Sequence, residues 1–124
     1  MNYLQGQSIL EELLFISKMR KLHTKEKKLI LCLLKKKDTS FNCPNLNEVY
    51  VEDMDDGGMG SLYIISEIKE KKNRKMLKSI AELTVKDKDG ITISITLNID
   101  HEGKLFELDI WKVDFSPLID YPEC

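Results

Sequence analysis

Glu107 and Asp109 sit two residues apart in the alternating run Leu105-Phe106-Glu107-Leu108-Asp109-Ile110-Trp111. On an extended strand they project from one face ~6.8 Å apart, a separation that suits a general acid paired with a general base. The wet side of any sheet offers similar pairs, so this spacing alone does not assign catalysis. A second acidic group, Asp53, Asp55 and Asp56, runs into Gly57-Gly58-Met59-Gly60. Asp53, Asp55 and Gly58 fall at offsets 1, 3 and 6 of a calcium loop, but offset 5 is Gly57 and offset 12 is Ile64 in place of the bidentate Glu. The same glycines do not make a phosphate cradle, because three acids precede them and no Lys-Ser/Thr follows. His23 and His101 are the only imidazoles, and nothing in the pattern orients either toward Cys43. No catalytic residue, metal ligand or cofactor is assigned.

These groups are positioned by strands. Residues 91–99 alternate five apolar residues with Thr92, Ser94, Thr96 and Asn98, the period-2 signature of a half-buried strand. A two-residue turn at Glu102-Gly103 would join this run to residues 105–111, pairing Ile99 with Phe106, Leu97 with Leu108 and Ile95 with Ile110. The same register sets Asn98 beside Glu107, Thr96 beside Asp109 and Ser94 beside Trp111. A slip by one residue would disturb both faces, so the pattern specifies the register strongly. Trp111 then stands on the polar face beside carboxylates, where a core does not require it. The competing expectation is that Phe115, Leu118 and Tyr121 fold back over its ring.

Upstream, Ser8 with Glu11 fits a capping box opening an amphipathic helix to about Met19. Thr24 would cap a second helix with Glu26 in its first turn and Leu29, Ile30, Leu33 and Leu34 as its buried stripe. Residues 38–47 read as a loop, residues 49–51, 62–65 and 81–85 as short strands, and residues 69–78 as a basic connection. Lys88-Asp89-Gly90 reads as a hairpin turn. The expected fold is one α+β domain over residues 1–124, with two N-terminal helices packed on one face of an antiparallel sheet of about five strands.

Size and composition agree with one globular domain: 124 residues, 42% hydrophobic and 32% charged, with a net charge of −2. Charge is unevenly placed. Residues 18–37 hold nine Lys or Arg against Glu26, while residues 48–56 hold five acids and no base. Neither this basic segment nor the one at Lys69, Lys71, Lys72, Arg74, Lys75 and Lys78 is interleaved with aromatics that stack on bases, which argues against nucleic acid. Three cysteines, Cys32, Cys43 and Cys124, show no metal or disulfide spacing. No run is long enough to span a membrane and the first residues do not form a secretory signal, so a reduced, cytoplasmic setting is expected.

Two segments carry a resemblance. They are residues 51–61, containing Asp56-Gly57-Gly58-Met59-Gly60-Ser61, and residues 105–118, containing Trp111 and Ser116-Pro117-Leu118. With Asp89-Gly90 and the helical pattern over 22–34, they resemble small uncharacterised bacterial proteins. These are similar in organisation to immunity proteins of contact-dependent inhibition and related polymorphic toxin systems. The resemblance implies a cytoplasmic protein that binds a toxin domain and blocks it without chemistry. If that toxin is a nuclease with a basic cleft, acids on the inhibitor would stand in for phosphate. The expected partner-binding residues are Asp53, Asp55, Asp56, Glu107, Asp109 and Trp111. Two rivals remain: a small ligand-binding domain or enzyme using the turn at residues 53–60 with Glu107 and Asp109, and a nucleic-acid accessory module using the lysine-rich segments.

Overall fold

The computed structural model describes residues 3–36, 41–66 and 74–123, with α1 side chains from Ile9 onward except those of Glu12 and Phe15. Helix α1 (Tyr3–Lys18) leads directly into a short strand β1 (Met19–Lys21), followed by helix α2 (Thr24–Lys35). The remaining strands are β2 (Tyr50–Asp53), β3 (Leu62–Ile65), β4 (Met76–Lys86), β5 (Thr92–Asp100) and β6 (Leu105–Lys112). They form one antiparallel six-stranded sheet in the order β1-β2-β3-β6-β5-β4. The α+β class, the antiparallel sheet and the five expected strands are present. The sixth, β1, lies where the first helix was expected to end. Three residues are too short to show a period, so the sequence carried no strand signal there.

The core lies between one sheet face and α2. Val51, Leu62, Ile64, Ile93, Ile95, Leu97, Leu108 and Ile110 meet Leu29, Ile30, Leu33 and Leu34, all buried. Leu118 and Tyr121 of the C-terminal tail pack against the same core. The tail therefore takes the place expected of a second covering helix. α1 does not cover the sheet: Ile9, Leu10, Leu13, Leu14 and Ile16 are 44–62% exposed. It also starts at Tyr3, which puts Ser8 inside the helix instead of at its cap.

The cap of α2 is His23, with Glu26 accepting from the His23 backbone N–H at 2.7 Å. Glu26 is not a solvated first-turn acid. It is fully buried, and accepts from Arg20 Nη1 (2.9 Å), Arg20 Nη2 (2.8 Å) and the Tyr121 hydroxyl (3.0 Å). Arg20 reaches on to Asp53 through Nε (3.1 Å) and Nη2 (2.7 Å). One carboxylate thus ties β1, α2, β2 and the tail together, and burial is tolerable because every lone pair finds a donor.

A second buried pair closes the tail. Lys112 Nζ, at 0% exposure, donates to Asp87 Oδ2 (2.9 Å), Asp89 Oδ2 (2.6 Å) and the Pro117 carbonyl (3.2 Å). Asp87 also accepts the Ile119 N–H at 2.8 Å. Gly90, at φ 81°, makes the expected turn between β4 and β5.

The β5–β6 register matches expectation at five positions: Ser94↔Trp111, Ile95↔Ile110, Thr96↔Asp109, Leu97↔Leu108 and Asn98↔Glu107. It departs at the turn, where a bulge pairs Ile99 with Leu105 in place of Phe106. Leu105 becomes the buried residue and Phe106 swings to the open face. The Asp100 carboxylate explains the shift by accepting the N–H groups of Glu102 (2.9 Å) and Lys104 (3.0 Å), which fixes a longer turn. Among the described residues Cys43 is exposed, and its thiol donates to the Pro44 carbonyl at 3.2 Å.

Candidate docking face

α2 and the tail cover one side of the sheet, and the other side carries a continuous cross-strand row. Reading the registers in order gives Met19, Glu52, Tyr63, Glu107, Asn98 and Ser79. Thr96 and Asp109 pair in the next row, and Ser94 and Trp111 in the one after. Period-2 alternation puts these polar residues together on one face because their neighbours are needed in the core.

Trp111 is open. The residue is 48% exposed, and its aromatic neighbour is Phe115 at 6.2 Å between centroids, tilted by 58°. The tail does not lie over it, since Leu118 and Tyr121 have gone to the core face. Phe115 is itself 68% exposed and holds a left-handed backbone at φ 63°. A bulky residue in that region carries strain of about 1–2 kcal/mol. Two large rings exposed side by side, one of them on a strained backbone, are unusual in a surface with no partner.

Asn98 Nδ2 donates to Asp109 at 2.8 Å, and Ser79 Oγ donates to Asn98 at 2.7 Å, which orients the amide. Burial pushes the Glu107 carboxyl above the ordinary range, and the charge of Asp109 adds to this against Asn98 and Arg74. Burial also raises Asp109, with Asp56 adding to it and Asn98 opposing. Two neighbouring carboxyls that resist ionisation attract a cation, which would relieve both.

The acidic turn divides. Asp53 is paired with Arg20, which holds its carboxyl below the usual range, yet it stays exposed at the rim of a groove. Asp56 closes its own loop by accepting the N–H groups of Met59 (3.1 Å) and Ser61 (2.9 Å). Asp55 is exposed. Of the six expected residues, Glu107, Asp109 and Trp111 share the open face, while Asp53, Asp55 and Asp56 line the adjoining groove, Asp53 with its carboxylate paired to Arg20.

An open groove of about 870 Å³ connects the loop to the face, lined among others by Glu52, Asp55, Asp56, Tyr63, Arg74 and Phe106. Arg74 forms one wall. Its guanidinium lies 4.7 Å from the Phe106 ring centroid, and it donates to Asp100 Oδ2 (2.9 Å) and to the carbonyls of Ile64 and Leu105. From sequence alone Arg74 falls in the basic connection of residues 69–78. No local pattern betrays it, because its acceptors lie on β3 and β5–β6. The basic residues Lys69, Lys71 and Lys72 lie outside the described residues. Among the described residues no cluster of three or more His, Cys, Asp or Glu could hold a metal ion. No helix among them is long and apolar enough to cross a membrane.

The two segments that carry the resemblance meet in space. The Leu118 N–H donates to the Gly58 carbonyl at 3.0 Å, and Pro117 Cβ lies 3.4 Å from where a Gly58 Cβ would sit. Ser61 Oγ donates to the Ile110 carbonyl (3.1 Å) and accepts the Ile110 N–H (2.8 Å). Their contact is a packing seam that fixes the end of β6, and so the position of Trp111. No curated protein and no solved structure matches the chain. A family model, a domain of unknown function, matches residues 19–122, which run from the first residue of β1 to the tail; the chain belongs to this DUF6984 family.

Proposed function

We propose that this chain is a non-catalytic binding protein whose open sheet face receives a basic protein surface. The observation that carries the reading is the exposed Trp111–Phe115 pair beside Glu107 and Asp109. The aromatics supply the desolvated anchor typical of interface centres, and the carboxyls supply attraction and register. The finer reading is a cytoplasmic immunity-type protein whose partner is a toxin domain with a basic cleft. It rests on the resemblance of residues 51–61 and 105–118 and on the sign of the charge along the face.

The test is co-expression with the product of the adjoining gene, followed by calorimetry and stopped-flow mixing. Trp111→Ala should weaken the complex by about thirtyfold or more, the loss of a central aromatic anchor. Glu107→Lys with Asp109→Lys should slow association about tenfold at low salt and less at high salt. Affinity unchanged in both variants would remove the face from the proposal.

A second reading is supported by the groove lined by Glu52, Tyr63, Arg74 and Phe106. The acids Glu52, Asp55 and Asp56 in its lining suit a small cationic ligand in a ligand-binding domain or enzyme. Saturable binding of a small amine to the isolated chain, lost in Tyr63→Ala but kept in Trp111→Ala, would favour it over protein docking.

A further inference from the structure

The sheet ends differently at its two margins. β1 closes one side with three residues, whereas β4 closes the other with eleven. Among the described residues, no backbone bond from another element reaches the outer side of β4, which pairs with β5 alone. The first half of β4 is blunted by register shifts between Met76 and Lys78 and between Ser79 and Ala81. From Ala81 to Lys86 the register is unbroken and the run holds no proline. An unblunted margin of this kind is a template for another strand.

The side chains of the run select which strand fits. Glu82, Thr84 and Lys86 are exposed on the open face, and Leu83 and Val85 are half-buried at the border of the core. An antiparallel copy of the same run can pair with it in several registers that keep like faces together. Centring the pair on Glu82 or on Lys86 sets like charges opposite one another. Centring it on Leu83 sets Glu82 opposite Thr84, and centring it on Val85 sets Lys86 there. Centring it on Thr84 sets Glu82 opposite Lys86 twice and Leu83 opposite Val85 twice, each a favourable cross-strand pair.

We propose that β4 is a self-association edge, pairing antiparallel with β4 of a second copy about a two-fold axis through Thr84. The six strands of each copy then make one continuous sheet, with both open faces on the same side. Thr84, Ser94 and Trp111 stand in one row across β4, β5 and β6. Five strand spacings therefore separate the two Trp111 positions, about 24 Å, and the dimer presents two docking anchors in line.

Sedimentation of the full chain between about 10 and about 500 µM tests this. The weight-average mass should climb toward twice that of the chain. Glu82→Lys should weaken association about tenfold, since two facing pairs change sign at once, and adding Lys86→Glu should restore it. Thr84→Lys brings two ammonium groups together on the axis and should hold the chain monomeric throughout. All three side chains are exposed, so the far-ultraviolet circular dichroism of each variant should match that of the wild type. A wild-type monomer at every concentration would overturn the proposal. So would a charge-swapped double variant that associates no better than Glu82→Lys, or a Thr84→Lys chain that dimerises as well as the wild type.

Discussion

Replacing Glu26 by Gln keeps the side-chain size and deletes one charge at a position with 0% exposure. Four donor contacts converge there, from Arg20 Nη1 and Nη2, the His23 N–H and the Tyr121 hydroxyl. A glutamine presents one acceptor oxygen and turns its amide N–H groups toward donors. Hydrogen bonds to a charged group contribute about 1.5–3 kcal/mol, and removing one partner of a buried pair costs about 3–5 kcal/mol. Arg20 keeps Asp53 and has 25% of its side chain in water, which sets the loss near the lower limit, about 3 kcal/mol. With a urea slope of about 2 kcal/mol/M the midpoint should fall by about 1.5 M. Emission from Trp111, the sole tryptophan, and far-ultraviolet dichroism should report one coincident transition. Asp53→Asn is the internal control. Its side chain is 65% exposed, so the loss should stay below about 1 kcal/mol. Acidity gives a second reading of the same site. Burial alone would push the Glu26 carboxyl up, but Arg20, the His23 N–H and Tyr121 outweigh it and hold it below the ordinary value. A lowered carboxyl stabilises the fold fully above its unfolded value and loses that contribution as pH falls through the folded one. The gap between wild type and Glu26→Gln should therefore narrow on acidification below the ordinary glutamate range. A loss under about 1 kcal/mol, or one equal to that of Asp53→Asn, would refute the view that this carboxylate joins four elements.

Asp109 is the opposite case, since burial and the charge of Asp56 raise its carboxyl against the help of Asn98. Ionising it disfavours the fold once pH passes the unfolded value, so Asp109→Asn should raise the urea midpoint at pH 7 and leave it unchanged at pH 3. Gly60 sits at φ 98°, and an added Cβ would lie 3.3 Å from Leu118 Cδ2 and 3.4 Å from Ile110 Cδ1. Gly60→Ala should cost about 2–4 kcal/mol by combining backbone strain with overpacking. Gly57→Ala, at φ 72° with open space around it, should cost only about 1–2 kcal/mol from strain.

Much of the fold was legible because alternation over nine residues leaves little freedom. Residues 91–99 and 105–111 disclosed both faces of β5 and β6 and five correct pairs. The bulge beside Asp100 escaped because it depends on a carboxylate accepting from backbone N–H groups, which leaves no mark on hydropathy. The apolar content of α1 read as core-facing, yet nothing local distinguishes a helix that covers its own sheet from one whose stripe stays open. The open setting of Trp111 followed from parity and survived the rival tail arrangement. Asp53 and Arg20 were invisible as a pair because 33 residues separate them. Lys112 stands in an ordinary alternating run, and only the folded tail reveals that its ammonium is enclosed by Asp87, Asp89 and Pro117.

The strand order has a consequence for how the molecule comes into being. β6, the last strand to be synthesised, lies in the middle of the sheet between β3 and β5. A ribosome emits β1, β2 and β3, then β4 and β5, as two ribbons with nothing yet to splice them. Until β6 emerges, each ribbon has a bare inner margin, and bare margins invite mispairing with other nascent chains. Completion therefore waits on a late insertion, and the interval before it is when this polypeptide most needs a chaperone.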